Sequence, residues 1–306
     1  MLINIIYLII GSTMLYYGAE WIVKGAANIS KRLGISSLVI GLTVVAFGTS
    51  LPELIVSIIA ALEGSSAIAV GNVVGSNVAN VGLVLGLSSL IFPIIINYDH
   101  LKRDLLIYLG TCALFILFAF DGRISQFEGA IFFISLIFYI LLCIKSPTFD
   151  NKESEPIING KIAKLIAYVV GGIILLAYGA DLFVEGAIFL ARYLGVSEVV
   201  IGMSVVAFGT SVPELATSVM AAFRRESAIS VGNIIGSNIF NILSVLGIAS
   251  IIQPLDSPPH IMKKEVVFMV AYAISMIFIG KLPQPISKVT SATLIAGYLF
   301  FIYMLF

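Results

Sequence analysis

The chain is 306 residues long, 59% hydrophobic and only 11% charged, with a mean hydropathy of +1.10. Those values exclude an ordinary soluble core, and a net charge of zero gives no support to a nucleic-acid-binding reading. They describe a polytopic membrane protein whose apolar runs reach the ~20 helical residues needed to cross the hydrocarbon core.

The N-terminal run Leu2 to Tyr17 has no basic flank before it and continues through Trp21 to Ile29 without a small-residue cleavage signature. It therefore reads as a first span rather than a signal peptide. The apolar pattern predicts helices at about 3–30, 36–62, 66–92, 103–120 and 125–144, then 161–191, 197–222, 227–252, 261–279 and 286–305. The polar segment Lys145 to Gly160 joins the two sets of five, dividing the chain into a first repeat (1–144), a cytoplasmic linker (145–160) and a second repeat (161–306).

With the N-terminus outside, twelve of the 17 basic residues fall in cytoplasmic connections, among them Arg224 and Arg225. Only Arg123, Arg192, Lys263 and Lys264 fall in outer ones, and Lys24 lies within the first helix. This bias predicts an integral protein of the cell membrane with both termini extracellular. Five spans per half then insert the second half upside down relative to the first.

A segment is written twice. Gly41-Leu-Thr-Val-Val-Ala-Phe-Gly-Thr-Ser-Leu-Pro-Glu53 returns 161 residues later as Gly202-Met-Ser-Val-Val-Ala-Phe-Gly-Thr-Ser-Val-Pro-Glu214. The register holds to Gly75-Ser-Asn77 and Gly236-Ser-Asn238. Each half thus carries one glutamate at bilayer depth, where a carboxylate costs at least about 2.5 kcal/mol and is kept chiefly to face an ion, a cavity or a partner.

Glycine and proline within one turn, at Gly48 to Pro52 and Gly209 to Pro213, predict breaks in the second and seventh helices. Carbonyls near Ala46, Phe47 and Thr49, and near Ala207, Phe208 and Thr210, are expected to lose helical partners. Glycine-rich segments predict similar breaks in the third and eighth, where Asn72, Ser76 and Asn80, and Asn233, Ser237 and Asn241, share one helical face in each half. The expected architecture is an all-α membrane protein of ten transmembrane helices in two inverted five-helix repeats, with helices 2, 3, 7 and 8 broken around a midplane ion site.

Every candidate ligand is oxygen, which suits calcium and sodium rather than zinc or copper. Two ionised glutamates carry a charge that one divalent or two monovalent cations neutralise, so competition for them yields exchange. His100 and His260 fall at predicted loop positions, and Cys112 and Cys143 read as packing residues.

The two motifs, Gly48-Thr-Ser-Leu-Pro-Glu53 with Gly75-Ser-Asn77 and Gly209-Thr-Ser-Val-Pro-Glu214 with Gly236-Ser-Asn238, closely resemble the alpha repeats of sodium/calcium exchangers in the calcium/cation antiporter superfamily, of compact prokaryotic type. The resemblance implies that Glu53 and Glu214 are central ligands shared by both ions, and that Thr49 and Thr210 give backbone oxygen to calcium. It further implies flanking sodium sites at Ser50, Ser76, Ser211 and Ser237 with the carbonyls of Ala46 and Ala207, and Asn80 and Asn241 at the centre. It implies a secondary antiporter moving Na⁺ and Ca²⁺ with no cofactor, no catalytic residue and no obligatory protein partner. Sliding of the first and sixth helices is implied in the same way.

Several such exchangers carry aspartate where Asn80 and Asn241 stand, so electroneutral exchange is expected here. Paired asparagines also occur in proton/calcium exchangers, whose glutamate motif generally reads Gly-Asn-x-x-Glu. H⁺ as counter-ion is the alternative, and a K⁺ requirement stays open.

Blander readings apply to single features. Proline kinks and small-residue packing occur in many membrane helices. Glu20 can pair with Lys24 one turn on, and Glu63, Asp121 and Glu128 read as solvated loop acids. An intramembrane hydrolase lacks a further catalytic group beside its two acids, and a cation channel does not require duplicated breaks. A non-transporting scaffold is the third alternative, made untenable by loss of all ion binding without loss of folding in Glu53→Gln.

Overall fold

A computed structural model describes residues 2–145, 162–195, 209–257 and 261–305. The expected linker from 146 onward, the start of the expected seventh helix up to 208 (including Ala207), and His260 lie outside these residues. The structure is helical: α1 (Leu2–Leu33), α2 (Ser37–Thr49), α3 (Leu51–Leu62), α4 (Ser66–Ile91), α5 (Tyr98–Ala119), α6 (Gln126–Ile144), α7 (Ile162–Tyr193), α8 (Val212–Phe223), α9 (Ser227–Ile252), α10 (Val266–Lys281) and α11 (Lys288–Leu305). A two-residue antiparallel pairing of β1 (Arg123–Ile124) with β2 (Leu255–Asp256) ties the α5–α6 turn to the chain leaving α9.

Against ten expected spans, six helices among the described residues are long and apolar enough to cross a bilayer, or seven with α2 and α3 as one bent span. Helix α5 begins at Tyr98 rather than 103, because Asn97 caps it by accepting the amide of His100. His100, Lys102 and Arg103 therefore sit in its first turns rather than in a loop. Glu128 likewise is not merely solvated: with Ser125 it forms a capping box that starts α6. Cys112 and Cys143 are buried free thiols.

The break in the second helix falls where expected. Ser50 leaves helical geometry (φ −83°, ψ 6°), and α2 and α3 meet at 44°. Ser211 repeats that backbone before α8 (φ −88°, ψ 2°). The third and eighth helices, by contrast, are continuous. In place of breaks they carry π-helical turns starting at the two asparagines, Asn80–Leu85 and Asn241–Leu246. Glycine alone loosens a helix without removing a donor, so it admits a wide turn where proline forces a break. The equivalence extends to loops: Gly64 (φ 74°) and Arg225 (φ 60°) take the same left-handed position after α3 and α8.

Helices α4 and α9 lie at the centre of the larger core, with Val73, Val81, Ile234 and Ile239 fully buried. A second core runs along α1 and α7. These two sequence-equivalent helices cross antiparallel in intimate contact. A Cβ on Gly11 would meet the backbone of Phe183 at 2.6 Å, and one on Gly172 the carbonyl of Gly18 at 2.7 Å. Toward one end Gly186 faces Leu8, and toward the other Gly25 faces Val169. Small residues permit this approach where apolar helices have no hydrophobic drive to associate.

Candidate ion-binding site

Proline at the second position of α3 and α8 starts each helix just after the break, which sets Glu53 and Glu214 in the first turn. There the positive end of the helix dipole offsets part of their desolvation, by roughly 0.3–1 kcal/mol each. Both glutamates are fully buried. Ser76 and Thr210 flank Glu53, while Thr49, Ser50 and Ser237 flank Glu214. Of these hydroxyls only Ser50 reaches hydrogen-bonding geometry with a carboxylate, donating to Glu214 Oε1 at 3.3 Å.

The remaining oxygens stand out by what they lack. Both carboxylate oxygens of Glu53, Oε2 of Glu214, Oδ1 of Asn80 and of Asn241, and the hydroxyls of Ser76 and Ser211 are buried without a hydrogen-bond partner among the described residues. A single buried polar atom left unpaired costs about 1–3 kcal/mol. Seven such atoms fall in the two equivalent motifs, and a desolvated cation is the kind of partner that would satisfy them.

A symmetric amide network holds the cradle. Asn80 Nδ2 donates to Asn238 Oδ1, and Asn241 Nδ2 to Asn77 Oδ1, both at 3.1 Å. Spending the NH₂ groups on neighbouring asparagines leaves Oδ1 of Asn80 and Asn241 as the free acceptors. On the glutamate side, Asn72 Nδ2 donates to Ser57 Oγ at 3.0 Å and Asn233 Nδ2 to Ser218 Oγ at 3.1 Å. Thr49 donates across to Asn233 Oδ1 (3.1 Å) and Thr210 to Asn72 Oδ1 (3.4 Å), which stitches the halves together.

The described members of the expected ligand set, Glu53, Glu214, Thr49, Thr210, Ser50, Ser211, Ser76, Ser237, Asn80, Asn241 and Ala46, thus fall on α2, α3, α4, α8, α9, the break between α2 and α3, and the turn before α8. One expectation changes. The Ala46 carbonyl accepts the Ser50 amide at 3.0 Å and the Thr49 hydroxyl at 3.3 Å, so it keeps its helical partner. The donor that Pro52 lacks belongs four residues back, at Gly48, not at Ala46. The site list drawn from the motifs omits Asn77 and Asn238, which orient Asn80 and Asn241, and Ser57 and Ser218, which anchor Asn72 and Asn233. A signal for the serines exists, since each lies one turn after its glutamate. The asparagine pairing exists only across the two halves.

A duplicated, buried, all-oxygen cradle between membrane helices defines an ion transporter. The profile of the family described as sodium/calcium exchanger protein matches residues 3–145 and 164–306, and the chain belongs to that family. It is similar to the sodium/calcium exchanger MaX1 of Methanosarcina acetivorans, with 33% identity over 99% of each chain. It is also similar to the inner membrane protein YrbG of Escherichia coli, with 32% identity over 100% of this chain and 98% of the relative. Its fold resembles the solved sodium-calcium exchanger NCX_Mj soaked with zero Na⁺ and Ca²⁺, with a TM-score of 0.87, 34% identity and 99% of both chains covered. The chain is therefore an integral membrane cation antiporter.

Proposed function

We propose that the chain exchanges Na⁺ for Ca²⁺ by alternating access, the two ions competing for Glu53 and Glu214. The observation that carries this is the pair of buried carboxylates with three of four oxygens unpartnered among the described residues. Calcium takes six to eight oxygens. Glu53, Glu214, Asn80 and Asn241, with backbone oxygen of Thr49 and Thr210, form its proposed site. Ser50, Ser76, Ser211 and Ser237 form the flanking sodium sites. The Ala46 carbonyl, already accepting two donors, is the weakest member, and Ala207 completes the set by motif equivalence.

The proposed architecture is ten spans in two inverted repeats, 1–144 and 161–306, joined by a cytoplasmic linker at 145–160, with both termini outside. The antiparallel crossing of α1 and α7 and the paired asparagine bonds support an axis relating the halves. The relatives' names, and an NCX_Mj structure soaked with 2.5 mM Na⁺ and 0.1 mM Ca²⁺, support the ion pair.

The test is purified protein in sodium-loaded liposomes, diluted into sodium-free buffer containing radiolabelled calcium. Uptake driven by outward sodium is expected, and loss of uptake is expected in Glu53→Gln and Glu214→Gln protein that still elutes as a folded monodisperse species. Uptake that needs a proton gradient instead would move the assignment to the proton/calcium reading. Wild-type uptake in either variant would remove the glutamates from the site.

A further inference from the structure

The two halves share a sequence pattern but not a packing. Helix α1 lies along α8, whereas the equivalent pair, α7 and α3, touches at most marginally. Burial of matched residues, 161 positions apart, registers the difference. Met220 is 6% exposed and its counterpart Ile59 is 49% exposed; Ile229 is 0% exposed and its counterpart Ile68 is 58%. The end of the molecule at the α8–α9 turn is thus covered by α1, and the end at the α3–α4 turn is not covered by α7 in the same way.

Charge follows the same division. At the covered end Glu20 of α1 forms ion pairs with Lys24 on its own helix and with Arg224 in the α8–α9 turn. Glu20 is 7% exposed, so its charge is held largely out of solvent. The counterparts of Glu20, Lys24 and Arg224 are Asp181, Glu185 and Glu63. All three are acids, all three are exposed, and none makes an ion pair among the described residues. Covering the α3–α4 end the same way would bring like charges together, where the other end gains an attraction.

We infer that the Glu20–Arg224 pair is an access latch. It holds α1 against the α8–α9 turn, and because its equivalent positions cannot pair, it biases the protein toward the state that is closed at the Arg224 end and open at the Glu63 end. On the orientation proposed above, that state is closed to the cytoplasm and open to the outside. The inference rests on the alternating-access reading, and it assigns to named side chains a bias that the central site alone does not contain. Reversing the charge at Arg224 would set an acid against Glu20, whose remaining partner Lys24 lies on the same helix and does not tie α1 to the turn.

The test uses Ile229→Cys and Ile68→Cys protein in nanodiscs, where both faces meet a water-soluble maleimide, with buried Cys112 and Cys143 setting the baseline. In the parent, Ile68→Cys labels fast and Ile229→Cys slowly. Arg224→Glu is expected to raise the Ile229→Cys rate at least about tenfold and to lower the Ile68→Cys rate, since opening one end closes the other. The charge swap Glu20→Arg with Arg224→Glu is expected to return both rates to within about threefold of the parent. A rise at Ile229→Cys with no fall at Ile68→Cys means local fraying and overturns the latch, as does an unchanged pair of rates or a swap that restores neither. Sodium-driven uptake by the parent is followed separately, so failure of the exchange reading is seen independently of labelling.

Discussion

Asn241 shows how one side chain sets the character of the site. Its NH₂ group donates to Asn77 Oδ1, and Asn77 in turn is held by donating to the Asn238 carbonyl at 3.2 Å. Aspartate cannot make the first bond, so Asn241→Asp would place a carboxylate oxygen against the amide oxygen of Asn77 and add a third negative charge to a buried cradle. The substitution loses a bond worth about 0.5–1.5 kcal/mol and leaves an acceptor facing an acceptor. The expected outcome is a protein of lower thermal stability in sodium-free buffer, recovered by calcium or sodium, and exchange that moves net charge. An unfolding midpoint in detergent, with and without each cation, checks the first. Equal midpoints in all buffers would mean that Asn241 does not face the ions. A parallel expectation concerns Ser50, among the described residues the one hydroxyl bonded to a site carboxylate. Ser50→Ala should weaken sodium-driven uptake more than Ser211→Ala, because Ser211 makes no such bond among the described residues. Equal losses would show that the two flanking positions are interchangeable.

The helices show which features can be read from residue order and which cannot. Proline announced the breaks before α3 and α8, because a missing donor is a property of one residue. The π-turns at Asn80 and Asn241 are not legible in the sequence: a wide turn depends on what the helix packs against, and glycine marks a break and a wide turn alike. Duplication pointed to Glu53, Glu214 and their serine and threonine neighbours, since the motif itself carries them. The asparagine exchange between Asn77, Asn80, Asn238 and Asn241 joins residues 158 and 164 apart on two helices, which no local pattern encodes. The ion pair of Glu20 with Arg224 was hidden for the same reason, behind the nearer partner Lys24. Glycine in α1 and α7 tests the packing directly. A side chain on Gly172 would meet the Gly18 carbonyl at 2.7 Å, and backbone cannot swing away as a flexible side chain can. Gly172→Val is expected to cost about 1–3 kcal/mol of stability and to slow uptake strongly, because α1 and α7 must then separate. Retention of both the unfolding midpoint and the uptake rate would mean that the close crossing is dispensable.

Across the assembled protein, the count of buried charge bears on how exchange responds to voltage. On the proposed assignment the cradle carries two formal charges, on Glu53 and Glu214, while Asn80 and Asn241 would supply oxygens without charge. One Ca²⁺ or two Na⁺ neutralises the pair. A third Na⁺ would leave a net positive charge buried in the bilayer, where an uncompensated ion costs at least about 2.5 kcal/mol. Two-for-one exchange moves no net charge, so a membrane potential does no work on it. Three-for-one exchange moves one charge, and a potential of about 100 mV would then contribute about 2.3 kcal/mol per cycle. That energy corresponds to a final calcium gradient about 50-fold different. Liposomes clamped with potassium and valinomycin at zero and at about −100 mV separate the two cases. The same final calcium gradient is expected at both potentials in the wild type, with a voltage-dependent gradient appearing only in Asn241→Asp. A large shift in the wild-type gradient would show that a third cation site lies beyond the two glutamates, and that charge outside the cradle stabilises it.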